Sequence, residues 1–462
     1  MSQTDFSSLK LRPALLENLS TLGYHAMTSI QAQSLPAILA GTDVIAQGKT
    51  GSGKTAAFGL GLLNRLEEKR FCVQSLVLCP TRELADQVSK EIRRLARGIN
   101  NIKVLTLCGG MPFGPQIGSL EHGTHIVVGT PGRIEEHLRK GTLVLDKLNI
   151  LVLDEADRML DMGFQETLDT IIDYAPNNRQ TLLFSATFPD KIKSIADRIL
   201  RDPVIAKVNS THDKTSIDQR FYNVENDAQR MDALRLLLLK NRPESALVFC
   251  NTKRETQEVA DALVTHGFNA LALHGDLEQK NRDQTLVRFS NKSVSVLVAT
   301  DVAARGLDID ALDAVINYHL SRETEVHIHR IGRTGRAGNK GLACTFYSDD
   351  ENYKLALLED YLQQPIENSD LPPIQLLAET PYQANMVTLK IDGGKKQKVR
   401  PGDILGALTG ENGISGKQVG KIVIADNWAY VAVTQDAAKD ALNKLTHGKL
   451  KGRSFRVRQL RG

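Results

Sequence analysis

Short apolar runs alternate with amphipathic stretches through most of the 462 residues. Val44–Ala46, Leu76–Leu78 and Ile150–Leu153 have the length of buried strands, whereas Arg82–Arg97 and Phe164–Tyr174 place apolar residues at helical spacing. This alternation predicts βαβ units on a buried parallel sheet. Two further strands are predicted at Ile126–Val128 and Thr181–Phe184.

A polar stretch without periodicity, residues 209–214, interrupts the alternation, which then starts again. The strands predicted beyond it are Ala246–Phe249, Ala270–Leu273, Val294–Val298, Ala314–Asn317 and Leu342–Phe346. Helical stretches separate these runs as well, so the sequence predicts a second α/β domain of the same class.

The last part of the chain has a different pattern. Four prolines fall between Gln364 and Pro381, which indicates a linker. Beyond it we predict strands at Met386–Ile391, Lys421–Ala425, Ala429–Val433 and Ser454–Leu460, with helices starting at Pro401 and Asp436. The order βαββαβ is typical of a split βαβ sheet. The predicted organisation is residues 1–209, 210–363, a linker over 364–383, and a tail domain over 384–462.

Charge separates the tail from the rest of the chain. From residue 384 onward there are 15 Lys and Arg against 6 Asp and Glu, a balance of +9. Because the whole chain carries +4, the first 383 residues carry −5. A basic tail on an acidic body indicates that the tail meets a polyanion, although a merely solubilising surface would give the same count.

Composition excludes several classes of protein. Charged residues make up 24% of the chain, which does not fit a disordered protein, and no apolar run has the length of a membrane span. The first residues lack the basic and apolar regions of a secretory signal. The five cysteines are scattered without a CxxC pair, which argues against disulfides and a cysteine zinc site, and the histidines have no metal-ligand spacing. We expect a cytoplasmic protein without a stable metal site built from cysteines or histidines.

A glycine-rich loop follows the first predicted strand and opens a helix. Its residues are Gly48, Lys49, Thr50, Gly51, Ser52, Gly53, Lys54 and Thr55, which fit G-x-x-x-x-G-K-[ST]. In this pattern backbone amides wrap phosphate oxygens, Lys54 would neutralise the β- and γ-phosphates, and the Thr55 hydroxyl would hold Mg²⁺. The pattern therefore predicts nucleotide binding, against a chance glycine turn.

Asp154 and Glu155 follow the strand Ile150–Leu153, about 100 residues after the glycine loop. One carboxylate at a strand end can anchor Mg²⁺, and the second can position or deprotonate an attacking water. A lone acidic pair here would more often cap a helix. With the phosphate loop upstream, we predict the catalytic role for Glu155 and the metal role for Asp154.

Asp154-Glu155-Ala156-Asp157 spells the name motif of the DEAD-box RNA helicases, and the chain resembles that family over about residues 1–360. The remaining motifs occur in order: Phe6, Gly23-Tyr24 with Thr28–Gln31, Pro80–Ala85, Gly109-Gly110, Thr130–Arg133, Ser185–Thr187, Val248–Asn251, Gln284 with Arg288, Ala299–Asp301, Ala304–Asp308 and His329–Arg336. Met27 stands where the family often has Pro, and Gly48 where Ala is usual. The resemblance implies two RecA-like parallel-sheet domains in tandem that use ATP and Mg²⁺.

The resemblance also implies roles for single residues. Gln31 and Phe6 would select adenine; a helix-start Gln and a packing Phe are the alternative. Ser185, Thr187 and His329 would couple the ATP state to the RNA state. Contacts to RNA would come from Thr81, Arg82, Gly110, Thr130, Gly132, Arg133, Gln284, Arg288 and Thr300. The first six residues lie at strand ends and helix starts, which suits phosphate contact, although each could instead be a helix cap.

Arg333 and Arg336 are three residues apart, so on a helix both would face one side. If the second domain closes over the first, they could stabilise the γ-phosphate as arginine fingers; a solvated basic face is the alternative. The family match implies that Asp308 accepts from ribose hydroxyls, and a turn-capping Asp is its alternative.

Four cations of the tail fall within six residues: Lys395, Lys396, Lys398 and Arg400. The tail resembles the RRM-like RNA-binding domain of a bacterial subgroup of the family that acts on 23S ribosomal RNA. This implies docking on a hairpin of the peptidyl-transferase region and work on 50S assembly intermediates. The strand Ala429–Val433 lacks the aromatic pattern of ordinary RRM strands, so we expect basic loops, rather than a stacking face, to recognise folded RNA.

The leading hypothesis is an RNA-stimulated ATPase that locally opens short RNA duplexes. The alternatives are a DNA-directed helicase and an RNA clamp that binds ATP without unwinding. Intact Lys54, Glu155 and Arg336 argue against an inactive ATPase.

Overall fold

The computed structural model describes residues 5–48, 51–208, 217–304, 312–321, 323–335 and 340–460. These residues group into two compact units, the first holding residues up to 208 and the second residues from 217 onward. Among the described helices, none combines the length and apolarity needed to cross a membrane.

The first unit is built on one parallel sheet. Its described strands are β1 (Val44–Gln47), β2 (Ser75–Leu78), β3 (Val104–Leu107), β4 (Ile126–Gly129), β5 (Ile150–Asp154), β6 (Gln180–Ser185) and β7 (Val204–Lys207). They lie in the order β3-β4-β2-β5-β6-β1-β7, and every neighbouring pair is parallel. This confirms the parallel sheet predicted from the alternation of apolar runs and helices.

Helices cover both faces of this sheet. They are α1 (Pro13–Thr21), α2 (Ser29–Ala40), α3 (Lys54–Arg65), α4 (Arg82–Leu95), α5 (Phe113–Glu121), α6 (Pro131–Arg139), α7 (Ala156–Asp161), α8 (Gln165–Asp173) and α9 (Asp190–Ile199). Successive strand residues point to opposite faces, so Val44 and Ala46 pack in one apolar core while Ile45 packs in the other. Burial on both faces explains why the strands read as continuous apolar runs.

The second unit begins with another parallel sheet. Its described elements are β8 (Ile217–Asn223), α10 (Asp227–Asn241), β9 (Ala246–Cys250), α11 (Lys253–Thr265), β10 (Ala270–Leu273), α12 (Gln279–Ser290), β11 (Val296–Thr300), α13 (Asp301–Ala304), β12 (Ala314–Asn317), α14 (Thr324–Ile331), β13 (Gly341–Tyr347) and α15 (Asn352–Leu362). The strand order is β10-β11-β9-β12-β13-β8. The second predicted α/β domain is therefore confirmed.

The tail follows the predicted order βαββαβ. It contains β14 (Met386–Ile391), α16 (Pro401–Thr409), β15 (Val419–Ile424), β16 (Ala429–Thr434), α17 (Ala438–His447) and β17 (Val457–Gln459). The sheet is antiparallel in the order β15-β16-β14-β17, and both helices pack on one face around Leu389, Ile391 and Val431. The predicted RRM-like α+β tail is confirmed.

The stretch between the second sheet and the tail is held by packing and hydrogen bonds. Leu371 and Leu377 pack against the core of the second sheet. The Arg242 guanidinium donates to the Thr380 carbonyl at 2.9 Å, and the Gln383 amide donates to the Gly267 carbonyl at 3.0 Å. The four prolines thus mark a stretch without long helices. This stretch nevertheless packs against the domain of the second sheet. The domain boundaries drawn from the sequence stay predictions, and the polar break at residues 209–214 lies outside the described residues.

Candidate nucleotide and RNA sites

The strand order divides the predicted site residues of the first unit into two groups. At the carboxyl edge of the sheet, β1 leads into the glycine loop, β5 ends at Asp154 and β6 ends at Ser185, and these three strands are neighbours. The loops after β3, β4 and β2, also neighbours, carry the residues predicted to contact RNA. One half of a single sheet edge therefore carries the motifs predicted to bind the nucleotide, and the other half carries the motifs predicted to contact RNA.

The lysine at the end of the glycine loop forms a hydrogen bond with the backbone at the start of the loop. The Lys54 ammonium group, at the first residue of α3, donates to the Gly48 carbonyl at 2.6 Å and is buried. Gly53 has φ +93°, and a Cβ there would lie 2.5 Å from Gln31 Nε2, so only glycine fits. A Cβ on Gly48 would lie 3.2 Å from Ser52 Oγ, so the Ala usual in the family would be tight here. Lys49 and Thr50 lie outside the described residues, while Gly51 and Thr55 are placed on the loop and at the start of α3.

Gln31 and Phe6 have protein partners in this structure. The Gln31 side-chain oxygen accepts from the Thr28 amide at 2.9 Å, and its amide group donates to the Gly53 carbonyl at 3.0 Å. This is a capping box at the start of α2, the alternative role left open by the sequence. Phe6 is buried and packs edge-on against Tyr24 with ring centroids 6.3 Å apart. Adenine selection by these two residues stays a prediction.

Asp154 is a buried carboxylate with an unused oxygen. It is 2% exposed, and its Oδ1 has no hydrogen-bond partner among the described residues. Burial, and then the nearby Glu155 carboxylate, raise the pKa of Asp154 to about 7, while Lys54 acts in the opposite direction. A buried carboxylate oxygen without a partner is the ligand that Mg²⁺ would take, so the residues present fit a magnesium ion.

Glu155 is fixed by its backbone and by a buried ion pair. It has φ +52° and ψ +51°, a left-handed conformation that is uncommon for a residue with a side chain. Its carboxylate accepts from the Arg158 guanidinium at 2.7 Å, and both side chains are buried. Arg158 was not predicted from the sequence, although its spacing of three residues from Glu155 on α7 was available as a signal.

Asp157 connects the DEAD motif to the Ser185–Thr187 segment. Its Oδ2 accepts from the Ala186 amide at 3.2 Å and from both the amide and the hydroxyl of Thr187 at 2.9 Å. The Gly48 amide donates to the Ser185 carbonyl at 3.0 Å, so the glycine loop contacts the same segment. Coupling roles were predicted for Ser185 and Thr187 but not for Asp157, the last residue of the DEAD motif.

The RNA half of the edge contains a close approach of Arg82 to Gly110. Gly110 has φ +72°, and a Cβ added there would fall well inside contact distance of the Arg82 guanidinium. Thr81 caps α4, since its hydroxyl accepts from the Leu84 amide at 3.3 Å. Thr81 therefore has the cap role that the sequence left open, with its neighbour Arg82 packed across the glycine.

Arg133 is held in a network of described side chains. Its guanidinium donates to the Met111 carbonyl at 3.0 Å and to Gln116 Oε1 at 2.6 Å. His137 Nε2 lies 3.0 Å from the same Gln116 oxygen, and its ring stacks on Phe113 at 4.1 Å. Burial, and then the Arg133 charge, lower the pKa of His137 to about 4. Arg133 thus connects the start of α6 to the loop after β3. Of the other two residues predicted here, Thr130 precedes α6 and Gly132 is exposed in its first turn.

Arg330 joins three motif segments of the second unit. It is 1% exposed, and it donates two hydrogen bonds of 2.7 Å to the Asp301 carboxylate. It also donates to Asn251 Oδ1 at 3.0 Å and to the His319 carbonyl at 3.0 Å. Arg330 lies inside the motif His329–Arg336, but no role was predicted for it.

The expectation that Arg333 lies on a helix is wrong. Helix α14 ends at Ile331, with Gly332 as its cap, so Arg333 lies beyond the helix and is buried. Arg336 and Asp308 lie outside the described residues, and their roles stay predictions. His329 is in the last turn of α14.

The other RNA residues predicted in the second unit are partly enclosed. Arg288, on α12, is 9% exposed, and burial lowers its pKa. Gln284 lies one turn earlier on the same helix. The buried Thr300 hydroxyl accepts from the Ala303 amide at 3.3 Å. Their RNA contacts stay predictions.

The basic loop of the tail has a fixed backbone and exposed cations. A Cβ on Gly393 would lie 2.5 Å from the Phe455 ring, and one on Gly394 would lie 2.7 Å from the Trp428 amide nitrogen. The Arg400 amide donates to Asp403 Oδ2 at 2.7 Å, at the start of α16. The cations that this backbone carries are all exposed: Lys395, Lys396, Lys398 and Arg400.

Comparisons with known proteins agree with this geometry. Residues 28–195 match the DEAD/DEAH box helicase family, and residues 229–338 match the helicase conserved C-terminal domain. The chain is 42% identical over 371 residues to the DEAD-box ATP-dependent RNA helicase CshA of Geobacillus kaustophilus, which covers 80% of this chain and 79% of that protein. The structure of S. cerevisiae Dbp5 bound to RNA and ADP BeF3 superposes with a TM-score of 0.71 at 31% identity, covering 80% of this chain and 96% of that one.

The chain therefore belongs to the DEAD-box ATP-dependent RNA helicases, which are RNA-stimulated ATPases. Its tail, residues 388–459, matches the DbpA RNA binding domain. Over its whole length it is similar to the ATP-dependent RNA helicase DbpA of Escherichia coli strain K12, with 55% identity over 459 residues, 99% of this chain and 100% of that protein.

Proposed function

We propose that this helicase opens short duplexes in 23S ribosomal RNA during assembly of the 50S subunit, and that its tail chooses the target. The observation that carries the proposal is the basic loop, in which four exposed cations stand on a backbone fixed by close glycine packing. Cations carried on a fixed backbone suit the phosphates of a folded RNA, because that backbone needs no ordering when RNA binds. The subgroup resemblance points to a hairpin of the peptidyl-transferase region as the partner.

For the nucleotide half we propose the following division of work. Lys54 would neutralise the β- and γ-phosphates, Thr55 and Asp154 would hold Mg²⁺, and Glu155 would orient and deprotonate the attacking water. The magnesium ion, when bound, supplies neutralisation of phosphate charge. The buried pair of Glu155 with Arg158 keeps the carboxylate in one position, which supports a role in aligning a water. Arg333 and Arg336 as arginine fingers belong to the same proposal.

The same assembly role would place the protein in the cytoplasm. All five cysteines are free thiols, which suits a reducing compartment.

The test is ATP hydrolysis by the full-length protein with short 23S rRNA fragments tiled along the molecule. We expect one fragment, containing the peptidyl-transferase hairpin, to stimulate the ATPase far more than the others. Replacing Lys395, Lys396 and Lys398 by Gln should remove this preference. The matched control replaces three other exposed tail lysines, Lys417, Lys439 and Lys449, which changes the net charge equally. Equal stimulation by all fragments would contradict the proposed target.

Two alternatives predict different results. An RNA clamp would show the same fragment preference without displacing the strand of a short duplex joined to that fragment. A DNA-directed helicase would be stimulated by DNA of the same sequence. Membership of the RNA helicase family favours RNA, and the aromatic-poor, basic tail favours a folded RNA over a stacked single strand.

A further inference from the structure

One face of the tail sheet is buried, although no tail helix covers it. Residues Val387, Leu389 and Ile391 of β14 point toward α16 and α17, so Thr388 and Lys390 point to the opposite face. In a separate domain of this architecture the opposite face would meet solvent. Here Thr388 is 0% exposed and Lys390 is 2% exposed.

The neighbouring strand gives the same picture. Tyr430 and Ala432 of β16 pair with Lys390 and Thr388 and share their face, and both are at most 2% exposed. The Lys390 ammonium lies 4.7 Å from the centre of the Trp428 ring. We call these four residues of β14 and β16 the docking face.

The second RecA-like domain contacts the docking face through α12 and the turn after it. The Asn291 side-chain amide donates to the Thr388 hydroxyl at 3.3 Å, and the Ser293 hydroxyl lies 2.7 Å from the Thr388 hydroxyl. Lys421 of β15 also donates to the Ser290 hydroxyl. All three partners lie more than ninety residues away from the tail in the sequence.

The direction of these hydrogen bonds can be assigned. The Ser293 hydroxyl donates to the Arg288 carbonyl at 2.9 Å, so its single proton is used there. The Thr388 hydroxyl must then donate to Ser293 Oγ while it accepts from Asn291. A continuous chain therefore runs from Asn291 through Thr388 and Ser293 to the backbone of Arg288.

Helix α12 thus carries predicted RNA contacts and also contacts the tail. It carries Gln284 and Arg288, which the family resemblance assigns to RNA, and its last residue, Ser290, accepts a hydrogen bond from Lys421 of the tail. A shift of the tail would have to break the two buried hydrogen bonds of Thr388, with Asn291 and with Ser293. Buried polar groups left without partners are costly, so the docked arrangement resists separation.

We propose that the tail and the second RecA-like domain act as one rigid RNA-gripping body throughout the cycle, and that the docking face, rather than the linker, sets the distance between the target RNA and α12. This inference rests on the proposed function, since it takes the basic loop as the target-binding element. The basic loop directly follows β14, the strand that carries Thr388 and Lys390. Docking of this strand therefore fixes the position of the loop with respect to α12.

The first experiment locks the docked state. Ser293→Cys with Thr388→Cys places two thiols where the hydroxyl oxygens are 2.7 Å apart, and four of the five native cysteines are buried. We expect the oxidised full-length protein to keep the rRNA-stimulated ATPase and strand displacement of its reduced form within about twofold. If oxidation abolishes the stimulation and reduction restores it, the tail must detach during the cycle, and the proposal is overturned.

The second experiment breaks the docked state. Thr388→Arg places a long cation in the buried face, and Ser293→Arg does so from the second domain without altering the tail. The control is Thr446→Arg, on the exposed side of α17, which adds the same charge to the tail. We expect the preference for the target fragment to fall about tenfold or more in both docking variants. The reason is that the tail would no longer be held at a fixed position and would be connected to the second domain only through the linker. Preference equal to that of the Thr446→Arg control in both variants would overturn the proposal.

A third pair of variants isolates the hydrogen-bond chain. Thr388→Ser keeps the hydroxyl and should keep target preference, whereas Thr388→Val keeps the shape and should lower it. The formation rate of the engineered disulfide, measured without RNA, tests docking even if no 23S fragment is preferred. A slow rate would overturn docking, whereas rapid formation together with equal stimulation by all fragments would count against the proposed target alone.

Discussion

Asp157 accepts two hydrogen bonds from Thr187, one from the amide and one from the hydroxyl, both at 2.9 Å. The same oxygen accepts from the Ala186 amide. A single carboxylate therefore fixes the segment after β6 to the segment after β5. The family resemblance predicts ATP binding for the segment after β5 and a coupling role for the segment after β6, so we expect this carboxylate to link the two.

We expect Asp157→Ala to impair strand displacement more than ATP affinity. Hydrogen bonds to a charged group contribute about 2 kcal/mol each, and losing several should also lower the stability of the first domain by that order. Urea denaturation and a duplex displacement assay would measure the two effects. Asp173→Ala, at an exposed carboxylate on α8, is the control. Full displacement activity in the Asp157 variant would exclude the coupling role.

Glu155→Gln should bind ATP and RNA but hydrolyse ATP at least about a hundredfold more slowly, the usual scale of general-base catalysis. The metal ligand Asp154 remains, so nucleotide affinity should change little. Steady-state ATPase with saturating RNA checks the rate, and Glu166→Gln at an exposed position serves as the comparison. A near-normal rate would remove Glu155 from the catalytic assignment.

Gly110→Ala should reduce RNA-stimulated ATPase, because its new Cβ would displace the Arg82 guanidinium. The variant also places Ala at positive φ, which costs about 1 kcal/mol in stability. Gly141→Ala is a matched control, since Gly141 has φ +66° and a Cβ added there would meet no atom within 4 Å. Both variants should lose stability, but only the Gly110 variant should lose RNA response. An equal RNA response in the two would show that the position of Arg82 is unimportant.

The buried His137 predicts a pH dependence of stability. Its pKa lies near 4 in the folded protein, below the ordinary value of 6.5, so the unfolded chain binds its proton more readily. The stabilising contribution is therefore present above about pH 6.5 and is lost as the pH falls toward 4. His137→Gln should flatten the fall of Tm in this window, whereas His25→Gln, at an exposed ring, should not. Identical pH profiles for the wild type and the His137 variant would contradict the assignment.

The basic loop predicts a salt dependence of RNA affinity. Replacing Lys395, Lys396 and Lys398 by Gln should lower the slope of log affinity against log salt by about 0.7 for each lost phosphate contact on single strands, and by about 0.9 on duplex, taking the B-DNA value. Titrations of rRNA fragments at several salt concentrations would measure it. An unchanged slope would mean that these lysines are solvated and do not touch phosphate.

The sequence predicted the secondary-structure elements and motifs of this fold more fully than it predicted which residues contact one another. Strands buried on both faces were readable as apolar runs, whereas β3 and β8 carry half-buried and charged positions and were not predicted. The partner of Gln31 is Gly53, which lies 22 residues away, so no local pattern could show it. Gly332 ends α14, and spacing alone could not show that Arg333 lies beyond a helix.

The tail illustrates the same limit. The order of its strands and helices along the chain followed from the pattern, but the polar residues Thr388 and Lys390 are typical of a solvent face. Thr388 is bonded instead to a turn almost a hundred residues earlier in the chain. Strand order and docking are properties of the folded chain, and a single sequence encodes them without a periodic signal.

The buried sheet face also affects how fragments of this protein should be used. A tail expressed alone would present Lys390 and Tyr430, a cation beside an aromatic ring, to any nucleic acid in solution. Such a surface stacks bases and attracts phosphate. RNA affinities measured on the isolated fragment would then include contacts that the complete chain keeps covered, and we expect them to overstate binding and understate selectivity.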